Sequence, residues 1–545
     1  MKIGLIGINS QFVHSNLALY YLREEIDGRW ENEICEYNNN EPILNIFYDI
    51  ESRHYDVIAI SVYLWNKETV IKLTELLKSA DPSLKIILGG PEPTYAPQDF
   101  SSADYLVCGA LEPTWISLLE NIESGQDSSA LPGVNGIVQF ADSWKFPYHA
   151  EDLSRLKNRL VYYETSRGCP YQCAFCLSSA EKYTAFLPLD RVYKELSFFL
   201  ESDIAVVKLV DRTFNAPKER GKEILRYLLA HYRPGITFHF ELKGELLDDE
   251  TVDMLISAPA GYFQVEIGVQ SLNLSALEES CRKNRWEQTK GYYSRLIGSE
   301  NVHTHFDLIA ALPHEDLDSF ILGFNEVMTI APHYLQVGFL KLLPGTKLDR
   351  ERFEHGYVAE SFPPYEVVKS SKMSVSDLAY LKKLDHFMDV VYNKGVLSRT
   401  IRYAMRKNGF DTFRLFMELA KNQNYADCLQ KLLPELGGTW ESLIRLDGFL
   451  NSNGGNVTAE EERAINRFVQ DSEMVACYLP HYQKESPREV YKRTRILLFP
   501  IKIDFDENGF VQSIEEGTTT ILLDFHEKGK QKRGKQRPDI YILPQ

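Results

Sequence analysis

Apolar runs and amphipathic stretches alternate along this 545-residue chain in two successive sets. In the first set, Lys2–Ile8, Asp56–Tyr63, Lys85–Leu88 and Tyr105–Cys108 are strand-like runs. Glu31–Glu36 is weaker and edge-like. Helical spacing covers roughly Ser15–Ile26, Asn66–Ala80 and Glu112–Ile122. Such alternation predicts parallel strands with helices on both faces. Ligands of such sheets bind at the carboxyl ends of the strands. The loops there are Asn9–His14, Ser61–Trp65, Gly89–Glu92 and Gly109–Glu112. Their glycines either let backbone approach a flat ligand or simply terminate strands. No G-x-G-x-x-G follows the first strand, which disfavours a dinucleotide.

A connector spans residues 125–160, with linker composition over Ser124–Gly133 and a short added strand at Gly136–Phe140. The alternation then resumes six times. Candidate strands are Val161–Ser166, Val206–Asp211, Thr237–Lys243, Tyr262–Val269, His303–Ala311 and Tyr334–Leu343. Six βα units read as an incomplete (β/α) barrel, with its site at the carboxyl strand ends. Those ends carry Asp211-Arg212-Thr213-Phe214-Asn215, Glu241-x-Lys243, Glu266-x-Gly268-x-Gln270-Ser271, Asp307 through Glu315, and Leu343-Pro344-Gly345-Thr346. Beyond residue 345 the chain is helical, as in Ser374–Asn393 and Asp411–Leu433, where Tyr380, Phe387 and Tyr392 read as packing residues. It then turns β-like over Thr494–Phe505, Phe510–Ile514 and Thr518–Phe525, with a turn at Glu507-Asn508-Gly509. A last run is Ile540–Leu543.

Chemistry enters with Cys169-x3-Cys173-x2-Cys176, which follows the strand-like Val161–Tyr163. Thiolates are the soft ligands of iron–sulfur clusters. Three of them leave one iron of a four-iron cluster without a protein ligand, and an open position is where a metal does chemistry. A closed zinc site needs four ligands, and no second cysteine pair lies nearby. The other cysteines (35, 108, 281, 428 and 477) are scattered and read as small buried hydrophobes, not as a disulfide scaffold.

Net charge is −17, so nothing draws the whole chain towards nucleic acid. One local exception is Lys528–Arg537, where six of ten residues are basic. No apolar run is long enough to span a bilayer. The N-terminus reads as a strand rather than a signal peptide, so the expected location is cytoplasmic.

Cys169-x3-Cys173-x2-Cys176, with Phe175 before the last cysteine, resembles the signature of the radical S-adenosylmethionine (SAM) superfamily. That resemblance implies a [4Fe-4S] cluster whose open iron binds SAM, and reductive cleavage of SAM to a 5′-deoxyadenosyl radical. An external electron donor such as flavodoxin or ferredoxin is implied as well. Glu266–Ser271 resembles the family's E-x-G-x-Q-S element and Asp307–Pro313 its D-x-I-x-G-L-P element, with Ala311 in place of the glycine. The resemblance therefore puts Phe175, Glu266, Gly268, Gln270, Ser271 and Asp307 near SAM.

Residues 1–140 resemble the cobalamin-binding domain that precedes the barrel in one large subclass, through Asp56-x4-Ser61-Val-Tyr63, Gly89-Gly90-Pro91-Glu92 and Gly109-Ala-Leu-Glu112. This implies cobalamin contacts from Asn9, His14, Ser61, Tyr63, Gly89, Gly90, Glu92, Gly109 and Glu112. The Asp-x-His-x-x-Gly loop that supplies a histidine to cobalt elsewhere is absent. The implied fold class is α/β: a Rossmann-like, flavodoxin-like domain (1–140), a partial (β/α)6 barrel (161–345), and a mainly helical C-terminal region with a small β segment (346–545). The implied activity is methyl transfer to an unactivated carbon, with ring rearrangement or cyclisation as other chemistries of the subclass. The substrate is a small molecule or a tRNA nucleoside, the latter suggested by the basic segment. A non-catalytic cobalamin or redox sensor is a further alternative, which the open iron position disfavours.

Overall fold

A computed structural model describes residues 1–109, 112–126, 144–180, 184–422, 424–434, 439–452, 457–506, 508–525 and 538–544, the side chains of Glu112, Pro113 and Ser452 excepted. The expected strand Gly136–Phe140 and the basic segment 528–537 lie outside the described residues.

The first sheet has five parallel strands: β1 (Lys2–Asn9), β2 (Glu31–Asn38), β3 (Val57–Ser61), β4 (Lys85–Gly89) and β5 (Tyr105–Val107). Their order is β2-β1-β3-β4-β5. The chain reverses direction across the sheet between β1 and β3, which opens a crevice at their carboxyl ends. Helices α1 (Leu17–Ile26) and α5 (Glu112–Glu123) pack together, as do α2 (Ile43–Ser52) and α3 (Lys67–Ala80). Both faces are therefore covered, and the strands are apolar along their whole length. All five residues of β3 are buried, and so is every residue of β1 after Lys2.

The second sheet has six parallel strands in sequence order: β6 (Leu160–Tyr163), β7 (Val206–Leu209), β8 (Thr237–Leu242), β9 (Phe263–Gln270), β10 (His303–Ala310) and β11 (Tyr334–Phe339). A helix or helices separate each strand from the next. Burial alternates strictly here. In β8, Phe238, Phe240 and Leu242 are buried while Thr237, His239 and Glu241 are partly open. The buried set faces the helices, and the other set lines the barrel interior.

The β6 edge of this sheet is extended by a loop of the first one. His14 bridges Leu160 in parallel, with Leu160 N donating to Val13 O (2.7 Å) and Ser15 N to Leu160 O (3.3 Å). One apolar core runs from Leu19, Tyr20 and Trp115 through Tyr148 to Tyr163, Phe199 and the barrel helices.

Beyond the barrel, helices Val375–Phe387, Thr412–Ala420 and Tyr425–Leu432 follow the expected spacing. Phe387 and Tyr392 pack against Phe416, and Tyr380 against Phe413. The expected single strand Thr494–Phe505 is two, Thr494–Phe499 and Lys502–Phe505. Pro500 lies between them and cannot donate to a ladder. The first pairs with Thr519–Asp524, which pairs with Asp539–Leu543. The second forms a hairpin with Val511–Glu515.

Candidate functional site

The cysteine loop leaves the carboxyl end of β6 and is held from beneath. Asp211, at the end of β7, accepts from Thr165 N (2.9 Å), Thr165 Oγ1 (2.5 Å) and Ser166 Oγ (2.7 Å). Burial pushes its pKa up against those bonds. Arg220 donates to Thr165 O (3.1 Å). Ser166–Gly168 then pairs with Thr184–Phe186, and Gly168 takes the positive φ (83°) that turns the chain into Cys169.

Each part of the loop has an anchor. Cys169 Sγ lies 3.5 Å from Thr213 Oγ1, and Cys173 Sγ accepts from Arg282 Nη1 at 3.5 Å. Ala174 N donates to Ser280 O, and Leu348 N to Ala174 O, both at 3.0 Å. All three thiols are free. Three soft donors on one loop held from several sides fit a cluster with an open iron. A hydrogen bond to one of the sulfurs is the kind of contact that tunes cluster potential. Phe175 is partly buried against the core.

The barrel interior is polar and arranged in rows by strand register. Tyr162, Lys208 and His239 are neighbours, then Glu241, Glu266, His305 and Tyr334, then Gly268, Asp307 and Gln336. Lys208 Nζ stands 3.0 Å from Glu266 and 3.4 Å from Glu241. His239 Nε2 is 3.2 Å from Glu266, and His305 Nε2 is 3.1 Å from Asp307. Burial alone would raise the Glu266 pKa, yet His239, Lys208 and His305 hold it far below the usual carboxylate range. Burial raises Asp307 in spite of His305.

Of the residues expected near SAM, Glu266, Gly268, Gln270 and Asp307 lie on the partly open face of these strands. Gln270 has φ 69° and a buried Oε1 with no hydrogen-bond partner, a carbonyl that a ligand donor would satisfy. Arg282 Nη2 donates to Gly268 O, tying this strand to the cysteine loop. Ser271 is turned away, its hydroxyl donating to buried Glu315. Ala311, standing where the family motif has glycine, takes the left-handed conformation (φ 67°) that glycine favours.

At the first sheet's crevice, Ser61 and Gly89 sit in register, and Asn16 Nδ2 donates to Ser61 Oγ (2.7 Å). Gly90 has φ 110°, and a Cβ there would stand 2.6 Å from Val62 O. Gly109 is also left-handed (φ 86°). Gly90 thus needs its bare backbone for Val62, while Gly89, with nothing closer than 3.9 Å to an added Cβ, leaves room for a broad, flat ligand such as a corrin. Tyr63 stacks on Trp65 at 4.5 Å, and burial pushes its phenol pKa up, with smaller opposing effects of the Arg212 and Glu164 charges.

Asn9 donates to His14 O (3.0 Å), and His14 Nδ1 meets Tyr162 OH at 2.7 Å. Burial lowers the His14 pKa, and Lys208 adds to that. The ring thus sits at the seam between the two sheets. Glu92 is also engaged elsewhere: Lys67 stands 3.0 Å from it, and Tyr365 OH donates to it at 2.7 Å.

Lys208, His239, His305 and Arg282 were not anticipated from motifs. His239 had a readable signal, polar Thr237, His239 and Glu241 alternating with Phe238, Phe240 and Leu242, and Lys208 and His305 a weaker one, a charged or ring-nitrogen side chain inside a mostly apolar strand.

Residues 163–321 match the radical SAM superfamily, 3–117 the B12 binding domain, and 353–431 a protein family of unknown function (DUF4080). The chain is similar to 2-(S-pantetheinyl)-carbapenam-3-carboxylate methyltransferase of Streptantibioticus cattleyicolor, 26% identical over 56% of this chain and 50% of that one. It is also similar to the cobalamin-dependent radical SAM methyltransferase TokK of Streptomyces tokunonensis, 25% identical over 54% of this chain and 48% of that one. The chain thus spans about half the length of the curated relatives it matches.

Its fold is shared with the cobalamin-dependent SAM radical enzyme OxsB (TM-score 0.56, 16% identity, 87% of this chain and 75% of that one). It is shared too with the methyltransferase TsrM from Kitasatospora setae (TM-score 0.54, 14% identity, 66% and 76%). The two domains imply a [4Fe-4S] cluster, SAM and cobalamin. No helix among the described residues is long and apolar enough to cross a membrane. Three cysteines on one loop at the carboxyl end of β6 and the two family matches together show a radical SAM domain over residues 163–321, preceded by a B12-binding domain over residues 3–117.

Proposed function

We propose that this chain transfers a methyl group from SAM to an unactivated carbon of a small polar substrate. One observation carries the reading: the loop after β1, at the crevice of the first sheet, meets β6, the strand that leads into the cysteine loop, through the His14–Leu160 bridge and His14 Nδ1 at 2.7 Å from Tyr162 OH. When bound, the cluster supplies the electron that cleaves SAM, and cobalamin supplies the methyl carrier.

In this reading Cys169, Cys173 and Cys176 hold the cluster, and Arg282 and Thr213 orient two of those sulfurs. Phe175, Glu266, Gly268, Gln270 and Asp307 line the SAM pocket. Ser271 positions this strand end by its bond to Glu315. Asn9, Ser61, Tyr63, Gly89, Gly90 and Gly109, with Glu112 from outside the described side chains, surround cobalamin. His14 and Glu92 fix the crevice against the barrel and the segment around Tyr365.

The division is 1–140 for cobalamin, 161–345 for cluster and SAM, and 346–545 closing over the substrate. The charged lumen rows favour a substrate with hydrogen-bonding groups over a hydrocarbon, because a hydrocarbon would leave those groups without partners. The protein's part is to position the reactants and exclude water.

The test is anaerobic. Chain reconstituted with iron, sulfide and cobalamin is given SAM and a low-potential reductant, and nucleosides are assayed. The expected outcome is both 5′-deoxyadenosine and S-adenosylhomocysteine, with both lost in Cys173→Ala. 5′-Deoxyadenosine alone would overturn methyl transfer in favour of rearrangement or cyclisation. An intact cluster that yields neither would overturn the reading.

A further inference from the structure

Against the segments that hold the cysteine loop, three potential metal donors converge and a fourth stands next to one of them. Glu279 ends the helix Leu274–Glu279, one residue before Ser280, whose carbonyl holds Ala174. Glu351 and His355 follow the short helix Lys347–Arg350, whose Leu348 amide holds Ala174 from the other side. Donor atoms of Glu279, Glu351 and His355 all lie within 4.8 Å of one another. His314 Nε2 lies outside that trio, 3.5 Å from Glu279 Oε2.

Two of these atoms are buried and make no hydrogen bond, His355 Nε2 and Glu351 Oε2. His355 is only 9% exposed. Such atoms ask for an explanation, because an unmade bond in a buried site is costly. They face each other at 4.0 Å. Two donors bound about 2.1 Å from one zinc ion stand roughly 3.4 Å apart at the tetrahedral angle, so a small closure would seat an ion between them. The cation now nearest is the Lys347 ammonium, 3.3 Å from Glu279 and 3.6 Å from Glu351. It also donates to Glu279 O (3.5 Å) and Cys281 Sγ (3.9 Å), and its side chain is about one-third exposed, so an ion that took the carboxylates would release it towards solvent.

We propose that Glu279, Glu351 and His355, completed by His314, bind a divalent first-row ion of the zinc type, which displaces Lys347. Two imidazoles and two carboxylates are a donor set that suits such ions. The ion would clip together the two segments that grip Ala174, making it a brace for the cysteine loop, separate from the cluster itself.

The test uses the full chain with Cys169, Cys173 and Cys176 changed to alanine, stripped of metal and titrated with Co²⁺ and then Zn²⁺. Expected is one tight equivalent, with visible cobalt bands of nitrogen and oxygen ligation and no sulfur-to-cobalt charge transfer. His355→Gln should weaken Zn²⁺ binding on the order of 100-fold, or more than loss of a mere supporting contact would. Lys347→Met, by removing the competing cation, should tighten it several-fold. Melting of the metal-free variants verifies folding. If His355→Gln does not fold, Lys347→Met still decides by the sign of its effect. No tight equivalent, sulfur charge-transfer bands, unchanged affinity in a folded His355→Gln chain, or weaker binding in Lys347→Met would each overturn the site.

Discussion

The two parallel sheets of this molecule obey the same βα logic and carry different sequences. In the first, β4 has Ile86, Ile87 and Leu88 in succession, all with at most 1% exposure. In the second, β8 reads Thr-Phe-His-Phe-Glu-Leu, with apolar and polar positions in strict alternation. A sheet covered by helices on both faces buries every side chain. A sheet curled into a partial barrel buries one face against helices and keeps the other for a lumen. Polar alternation in a parallel strand therefore announces a cavity, and the polar residues announce what lines it.

Truncation scanning would break this comparison at its strongest point. In β4, Ile86→Ala, Ile87→Ala and Leu88→Ala should each cost about 2–5 kcal/mol, since each neighbour is equally buried. In β8 the cost should alternate. Phe238→Ala and Phe240→Ala should lose about 3–5 kcal/mol, and Thr237→Ala under about 1. Urea denaturation of each variant reads this directly. Uniform costs along β8 would mean that its open face is packed after all.

The next effect belongs to Glu315, buried in the turn that follows β10. Burial pushes its carboxyl pKa up to about 8. Unfolded, it titrates near 4.3. Between those values the folded chain keeps a proton that the unfolded chain has released, so this group makes stability fall as pH rises, and the fall levels off above about 8. Glu315→Gln should remove a loss that grows to a few kcal/mol between pH 5 and pH 8. Melting temperatures of the two chains should diverge over that window, with the variant higher at pH 8. Parallel curves would mean that Ser271 and its surroundings stabilise the carboxylate.

A smaller and more selective effect separates two adjacent glycines at the crevice. Gly90→Ala forces a left-handed backbone and brings a methyl group 2.6 Å from Val62 O. It should cost about 1–3 kcal/mol and lower cobalamin retention after reconstitution. At Gly89 the nearest atom to an added Cβ is 3.9 Å away. Gly89→Ala should leave the melting temperature unchanged and still reduce retained cobalamin, if this face meets the ligand. Unimpaired retention in both variants would remove the crevice from the cobalamin site.

Much of this was legible in the chain. The strands of both sheets follow from apolar runs, and the cysteine spacing marks the loop that the structure sets at the carboxyl end of β6. What stayed hidden are side chains whose partners lie far away in sequence. Glu92 looks like a crevice residue until Tyr365, 273 positions later, donates to it. Ser271 looks like a pocket hydroxyl until Glu315 takes it. His14 looks like a loop histidine until Tyr162 meets it across the seam. Local pattern specifies which face a residue occupies. It does not specify which distant group arrives there. The strand expected over Thr494–Phe505 failed for a local reason, since Pro500 breaks the ladder.

The seam itself gives the smallest prediction. His14 and Tyr162 join the first sheet's loop to the barrel edge through one 2.7 Å hydrogen bond. The backbone joins them as well, through Val13 O and the Ser15 amide on either side of Leu160. If the two sheets form one continuous core, as the packing from Trp115 to Phe199 indicates, the side-chain bond is an addition to a seam already made. Tyr162→Phe should then cost about 1 kcal/mol and leave a single unfolding transition. Hydrogen exchange at the Ser15 and Leu160 amides should remain slow. If unfolding instead splits into two transitions, or those amides exchange freely, the two sheets are held together by their polar seam. The contrast between them would then be one of separable units rather than of two faces of one core.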